Sequence, residues 1–134
     1  MGILTPMADI ETRADIDELM RVFYARALVD DVIGYIFTDV AKLDLEHHLP
    51  IIGDFWESLL FSTPAYSKNG RNPLLVHREL HEKSELTAEH FQRWLEIFIA
   101  TVDQIFSGER AEFLKQRAAA IAARMQEFLD VEEP

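Results

Sequence analysis

Apolar positions recur along this chain every three or four residues, and nothing alternates with period two for long. Ile16, Leu19, Met20, Phe23 and Ala27 form the first such stripe, the spacing of a helix that buries one face. Asp15 with Glu18 three residues later reads as the pair that opens it. A loop-rich patch over residues 34–42 interrupts the pattern. From Asp44 a second stripe runs through Leu45, His48, Ile52, Phe55, Trp56 and Leu59. Pro50 falls in its first turns, where proline is best tolerated. Residues 62–72 hold the strongest breakers, Thr63-Pro64 and Lys68-Asn69-Gly70. Asn72-Pro73 reads as a helix cap with proline at the first helical position, opening a short helix to His81. Thr87 caps the next helix, whose broad face carries Phe91, Trp94, Leu95, Phe98, Val102 and Ile105, and Ser107-Gly108 ends it. A final stripe holds Ala111, Leu114, Ala118, Ile121, Ala122, Met125 and Leu129, its alanines allowing close packing. With no repeat or low-complexity tract, the expected class is all-α.

The 134 residues, 49% of them apolar with five Gly and five Pro, fit one domain that buries about two-thirds of its unfolded surface. That domain is read as spanning 1–134, with 1–14 an N-terminal extension and 15–129 the helical core. Thirteen Lys+Arg against twenty-four Asp+Glu leave a net charge of −11. This balance argues against a nucleic-acid partner, which needs a basic face. Zero cysteines exclude a disulfide scaffold, a thiolate metal site and cysteine catalysis. No apolar run approaches the ~18 residues of a membrane span. The start, Met1-Gly2-Ile3-Leu4-Thr5-Pro6, has neither a positive leader region nor the Ser or Thr at position 6 that myristoylation prefers. A cytoplasmic protein is expected, with no membrane partner.

The five histidines carry the candidate chemistry. At about 100° per residue, His48 falls inside the apolar stripe of its helix, whereas His47 points about 100° aside, toward solvent. By the same arithmetic His77 shares a face with Leu74, Leu80 and His81. A single inward histidine bonded to a carbonyl is an ordinary core residue. Tyr24 and Trp94, at the edges of their stripes, are equally ordinary amphipathic aromatics when taken one at a time. His77 and His81 also have the i, i+4 spacing of two zinc ligands. A metal-dependent hydrolase is disfavoured, because Arg78 stands where such a site places its glutamate and no third ligand is evident.

Taken together these residues are familiar. Phe23-Tyr24, Ile33-Gly34-Tyr35-Ile36-Phe37, His48-Leu49-Pro50, Asp54-Phe55-Trp56, Asn72-Pro73-Leu74 with His77, His90-Phe91, Arg93-Trp94-Leu95 and Thr101-Val102-Asp103 occur in order. In sequence and spacing the chain resembles the truncated haemoglobins, specifically the group III branch, over roughly residues 16–125. The resemblance implies a globin-like two-over-two helical sandwich holding one noncovalent haem b per chain. On that resemblance His77 is the proximal ligand to iron. Tyr24, His48 and Trp94 are the distal residues, Phe37 wedges against the porphyrin, and Ile52 lies one turn beyond the distal histidine. Three features depart from the family's pattern. Tyr35 stands where proline is common, the loop between Tyr66 and Pro73 is a few residues longer, and His81 offers a second imidazole one turn beyond His77.

A haem site needs an imidazole on one side, a mostly dry pocket on the other and apolar walls. Phe23, Phe37, Ile52, Phe55, Phe91 and Phe98 can supply those walls. From Tyr66 through Arg78 the chain carries Lys68, Arg71 and Arg78 and no acid. Two readings fit that run: a solvated basic loop, or a cradle for haem propionates. The function implied is reversible binding of O2 and other diatomics (CO, NO) in a polar distal pocket, suited to ligand stabilisation or redox chemistry rather than simple O2 delivery. The alternative is a haem-dependent NO dioxygenase or peroxidase-like detoxification enzyme. No nucleotide-binding motif is present, so the dioxygenase would need a separate electron-donating reductase. A second alternative is a haem-free helical module that only binds partners.

Overall fold

A computed structural model describes residues 7–62 and 73–129, with only the backbone course given for 73–76. Among the described residues five α-helices follow in order: α1 (Arg13–Ala27), α2 (Leu45–Phe61), α3 (Pro73–Lys83), α4 (Ala88–Ile105) and α5 (Glu109–Leu129). A π-helical turn, Ile36–Val40, lies between α1 and α2. The described residues contain no strand, as the period of the sequence requires, and none of their helices is long and apolar enough to cross a membrane. Asn72, Lys68 and Arg71, with the rest of the 63–72 stretch, lie outside the described residues.

The first helix starts earlier than the sequence suggests. Thr12 is its cap, its hydroxyl accepting from the Asp15 N–H at 3.3 Å while the Asp15 carboxylate accepts from the Thr12 N–H at 3.1 Å. Asp15 is therefore the third residue of a capping box and not its first. Thr12 and Asp15 stand at the same three-residue spacing as Asp15 and Glu18, so the pattern alone fits both.

Ahead of the helix the chain is tied into the fold. Ile10 is fully buried, and Ser107 donates its N–H to the Ala8 carbonyl at 3.1 Å. The Asp9 carboxylate accepts from the N–H groups of Arg110 and Ala111, each at 2.9 Å, and so caps α5 from about a hundred residues away in sequence. Gly108 makes this approach possible: its φ is +147°, and a Cβ there would lie 2.5 Å from the Asp9 side chain. Burial pushes the Asp9 carboxyl up, but backbone hydrogen bonds from Arg110, Ala111 and Ile10 outweigh it and leave it below its ordinary value. A lowered carboxyl stabilises the fold fully above the unfolded value near 4 and loses that contribution as pH falls through the folded value. Asp9→Ala is accordingly expected to cost about 1 kcal/mol at pH 7, with the deficit shrinking below about pH 4. Urea unfolding at the two pH values checks it.

The patch read as loop over 34–42 contains the π-helical turn. Ala41 donates to the Ile36 carbonyl at 2.8 Å and Leu43 to the Phe37 carbonyl at 2.9 Å. The wider ring inserts an extra residue, breaking the apolar period that the sequence reading relied on. Further on, Thr87 caps α4 as read, accepting from the His90 N–H. The α3 helix runs to Lys83, two residues beyond the expected end at His81.

Helix α1 packs on α2 and on α4, while α5 packs on α4, α3 and α2. The α1/α2 pair thus crosses the α4/α5 pair, two helices over two. Between them lies a core containing Phe23, Phe98, Leu19, Met20 and Leu114, each no more than 2% exposed. Full burial of such side chains stabilises by about 1.5–3 kcal/mol apiece. Helix α2 is the exception. It is rich in Leu, Ile and Phe, yet only Gly53 and Trp56 are buried.

Candidate functional site

Tyr24 sits near the C-terminal end of α1, 5% exposed, and not at the edge of its stripe as the sequence suggests. Its phenol oxygen lies 2.8 Å from His48 Nε2 on α2. The two rings meet edge to face at 5.3 Å, and Phe37, within the π turn, meets the Tyr24 ring the same way at 5.8 Å. Burial pushes the Tyr24 phenol well above its ordinary value, so the group keeps its proton at any physiological pH. His48 is half-buried. Burial first, then the neighbouring imidazoles of His77 and His47, hold it below the ordinary histidine value. The pair is therefore a neutral phenol against a neutral imidazole, with one proton between two acceptor positions.

Phe23 joins this pair to α4. Its ring lies 5.1 Å from Tyr24, 6.0 Å from Trp94 and 5.6 Å from Phe98, all edge-on. Trp94 is half-buried and stacks on Phe98 at 5.4 Å, and Phe98 meets Trp56 at 5.0 Å. Phe55 touches Trp56 at 5.2 Å. The structure thus brings Tyr24, His48 and Phe37 into direct contact and reaches Trp94 through Phe23. Phe91 and Phe98 are buried, at 7% and 1% exposed. Ile52 and Phe55 are only partly buried against the core.

Two ties fix α4 around Trp94. The Asp30 carboxylate accepts from the N–H groups of Val32 and Ile33 at 3.0 and 3.2 Å. It also takes Arg93, the residue before Trp94, with Nε at 2.9 Å and Nη2 at 2.7 Å. That guanidinium is the main reason the Asp30 carboxyl lies below its ordinary value. At the start of α4, His90 Nδ1 accepts from the Thr87 N–H at 3.0 Å, which leaves the proton on Nε2, facing the Tyr35 hydroxyl at 3.2 Å. Tyr35 thereby bridges the π turn to α4.

On α3, His77 is half-buried and acts electrostatically on His48. His81 is committed differently: its Nδ1 accepts the Leu86 N–H at 3.0 Å. Arg78 is exposed, with its guanidinium 4.6 Å above the Phe128 ring of α5. Arg71 falls outside the described residues. Among those residues no group of three or more His, Asp or Glu could hold a metal ion by itself.

One organised group escaped the sequence reading. Arg13 of α1 reaches Asp54 and Glu57 on α2 across more than forty residues. Its sequence signal is indirect: Gly53, isolated within a helical stripe, marks a close approach.

The donor set suits a haem: His48 on α2 and His77 on α3 are near enough for His77 to act on His48, and beside them stand the aromatic rings of Tyr24, Phe37 and Phe23. No protein-family model matches the chain. It is 30% identical over 117 residues, 85% of its length, to a group 3 truncated haemoglobin of Campylobacter jejuni, 87% of which is covered. The fold matches the crystal structure of a group III truncated haemoglobin from Campylobacter jejuni with a TM-score of 0.76 and 28% identity, over 90% of this chain and 94% of that one.

Proposed function

The chain belongs to the group III truncated haemoglobins, and on that premise we propose that it binds O2 and related diatomics at a haem b held by His77. One domain holds one haem. The observation that carries this reading is the Tyr24–His48 contact at 2.8 Å, a polar pair in an otherwise apolar aromatic cluster, with His77 close enough to lower the imidazole's proton affinity. When bound, haem supplies the iron position at which a diatomic attaches and gains partial negative charge on its outer atom.

The chain's own residues then decide how long the ligand stays. The single phenol proton of Tyr24 points either at His48 Nε2 or toward the ligand side. With the His48 proton on Nε2, the imidazole donates to the phenol oxygen and frees the phenol proton for the ligand. Such a chain of donors polarises each bond in turn. Trp94 adds an indole N–H, a donor only. Phe37, Ile52 and Phe55 wall the pocket and limit water, which would otherwise compete for these donors.

The choice of His77 over His81 rests on tautomer chemistry. Because His81 Nδ1 accepts a backbone N–H, its proton sits on Nε2 and that nitrogen has no lone pair to give a metal. Arg71 and Arg78 remain the candidates for the propionates, on the strength of the acid-free basic run.

An absorption spectrum of the protein, reduced under argon and then given CO and air in turn, tests the reading. The expected result is a Soret band that shifts with each gas, at one haem per chain. A colourless chain that ignores added hemin would favour the haem-free module instead.

A further inference from the structure

We propose that Arg13 is a positioning residue for the Tyr24–His48 pair: its guanidinium fastens α2 to α1 just beyond His48 and so fixes where the distal imidazole stands. Arg13 Nε donates to Asp17 at 2.9 Å within α1. Nη1 donates to Asp54 at 2.7 Å and to Glu57 at 2.9 Å, and Nη2 to the Pro50 carbonyl at 3.0 Å, all on α2. Four donor contacts in fixed directions use nearly the whole fork of one side chain. The Pro50 carbonyl lies two residues after His48.

Two polar fastenings therefore hold one helix crossing. Arg13 grips α2 over residues 50–57, and Tyr24, about 16 Å further along α1, meets His48. Between them α1 presents Ile16, Leu19, Met20 and Phe23, all buried in the apolar core. Apolar contacts are non-directional and leave α2 free to slide or roll by small amounts; the fork does not. Gly53 shows how close the approach is: a Cβ there would lie 2.6 Å from Arg13 Nη2. One cation faces three carboxylates, so a lysine would supply the charge without the directions. A partly exposed ion-pair cluster contributes little to stability by itself, which makes register its more consequential role.

The effect on His48 stands on this geometry alone; the effect on ligand release rests on the haem reading above. The experiment uses the full chain with 15N-labelled histidine, in the ferrous CO form. The His48 imidazole signals are read in the parent, Tyr24→Phe, Arg13→Ala, Arg13→Lys and Gly53→Ala. Arg13→Ala is expected to move the His48 signals toward those of Tyr24→Phe, and Arg13→Lys to leave them displaced. Gly53→Ala is expected to displace them too, although alanine favours the helix, so register is separated from stability. It also carries the test if Arg13→Ala does not fold. O2 release should quicken about 3–10-fold in each, the loss of part of one hydrogen bond. His48 signals identical to the parent's in Arg13→Ala and Gly53→Ala overturn the proposal, as does full rescue by lysine. A chain that takes up no haem refutes the ligand-binding reading, and the same spectra recorded without haem still decide the role of Arg13.

Discussion

Replacing His77 with alanine is expected to abolish stoichiometric haem uptake, while His81→Ala leaves the haem spectrum intact. The two imidazoles sit one turn apart on α3, and composition cannot choose between them. Their surroundings can. His81 Nδ1 is occupied by the Leu86 N–H at 3.0 Å, closing the turn from α3 toward α4. Removing it should cost stability of about 1 kcal/mol, the worth of one hydrogen bond, with no loss of colour. His77 lies near enough to His48 to act on it electrostatically. Hemin titration followed at the Soret band, with chain concentration measured independently, separates the outcomes. One haem per chain with an unaltered axial spectrum in His77→Ala would remove that residue as the ligand. Loss of haem in His81→Ala would show the wrong imidazole had been chosen.

Much of the architecture is legible from the chain because the helices are long and strongly periodic. The stripes beginning at Ile16 and Leu45, the Thr87 cap and the Ser107-Gly108 break all depend on neighbours within a few residues, and their signals are local. What the sequence hides is set by partners far along the chain. Asp9 has no visible role until α5 arrives beside it. Arg13 looks like an ordinary surface charge until Asp54 and Glu57 close on it. The π turn at Ile36–Val40 has no side-chain signature at all, since its wider ring is a matter of backbone pairing. It nonetheless carries Phe37, whose ring meets Tyr24 edge to face.

The site shows the same division. Helical arithmetic puts His48 inward and His47 outward, which their exposure follows. The same arithmetic puts Tyr24 at the edge of its stripe, yet it is buried. Two elements outside α1, the π turn and α2, fold over its ring, and no periodicity within α1 carries that information. Helix α2 is dense in apolar side chains and buries only Trp56 among them; Leu45, Leu49, Ile52, Phe55 and Leu59 are partly buried against the core, a degree of burial that the stripe of the sequence does not predict.

Tyr24→Phe is expected to speed O2 release by about 10–100-fold, the kinetic equivalent of losing one hydrogen bond of roughly 1.5–3 kcal/mol to a charged oxygen. The phenylalanine keeps the ring contacts with Phe23, Phe37 and His48, so the change isolates the hydroxyl. Burial strengthens the case: the phenol is shielded from water, which would weaken the same bond at the surface. Trp94→Phe should have a smaller effect in the same direction, because Trp94 is only half-buried and its indole N–H meets more competition. CO carries less charge on its outer atom, so its release should change less than that of O2 in both variants. This ratio matters more than either rate alone. A pocket that merely opened after the substitution would release both gases faster by similar factors, whereas loss of a donor discriminates between them. Stopped-flow displacement of O2 and CO from the parent and both variants gives the comparison directly. Unchanged O2 release in Tyr24→Phe and Trp94→Phe together would leave the 2.8 Å contact between Tyr24 and His48 as a packing feature, with ligand retention owed to something else.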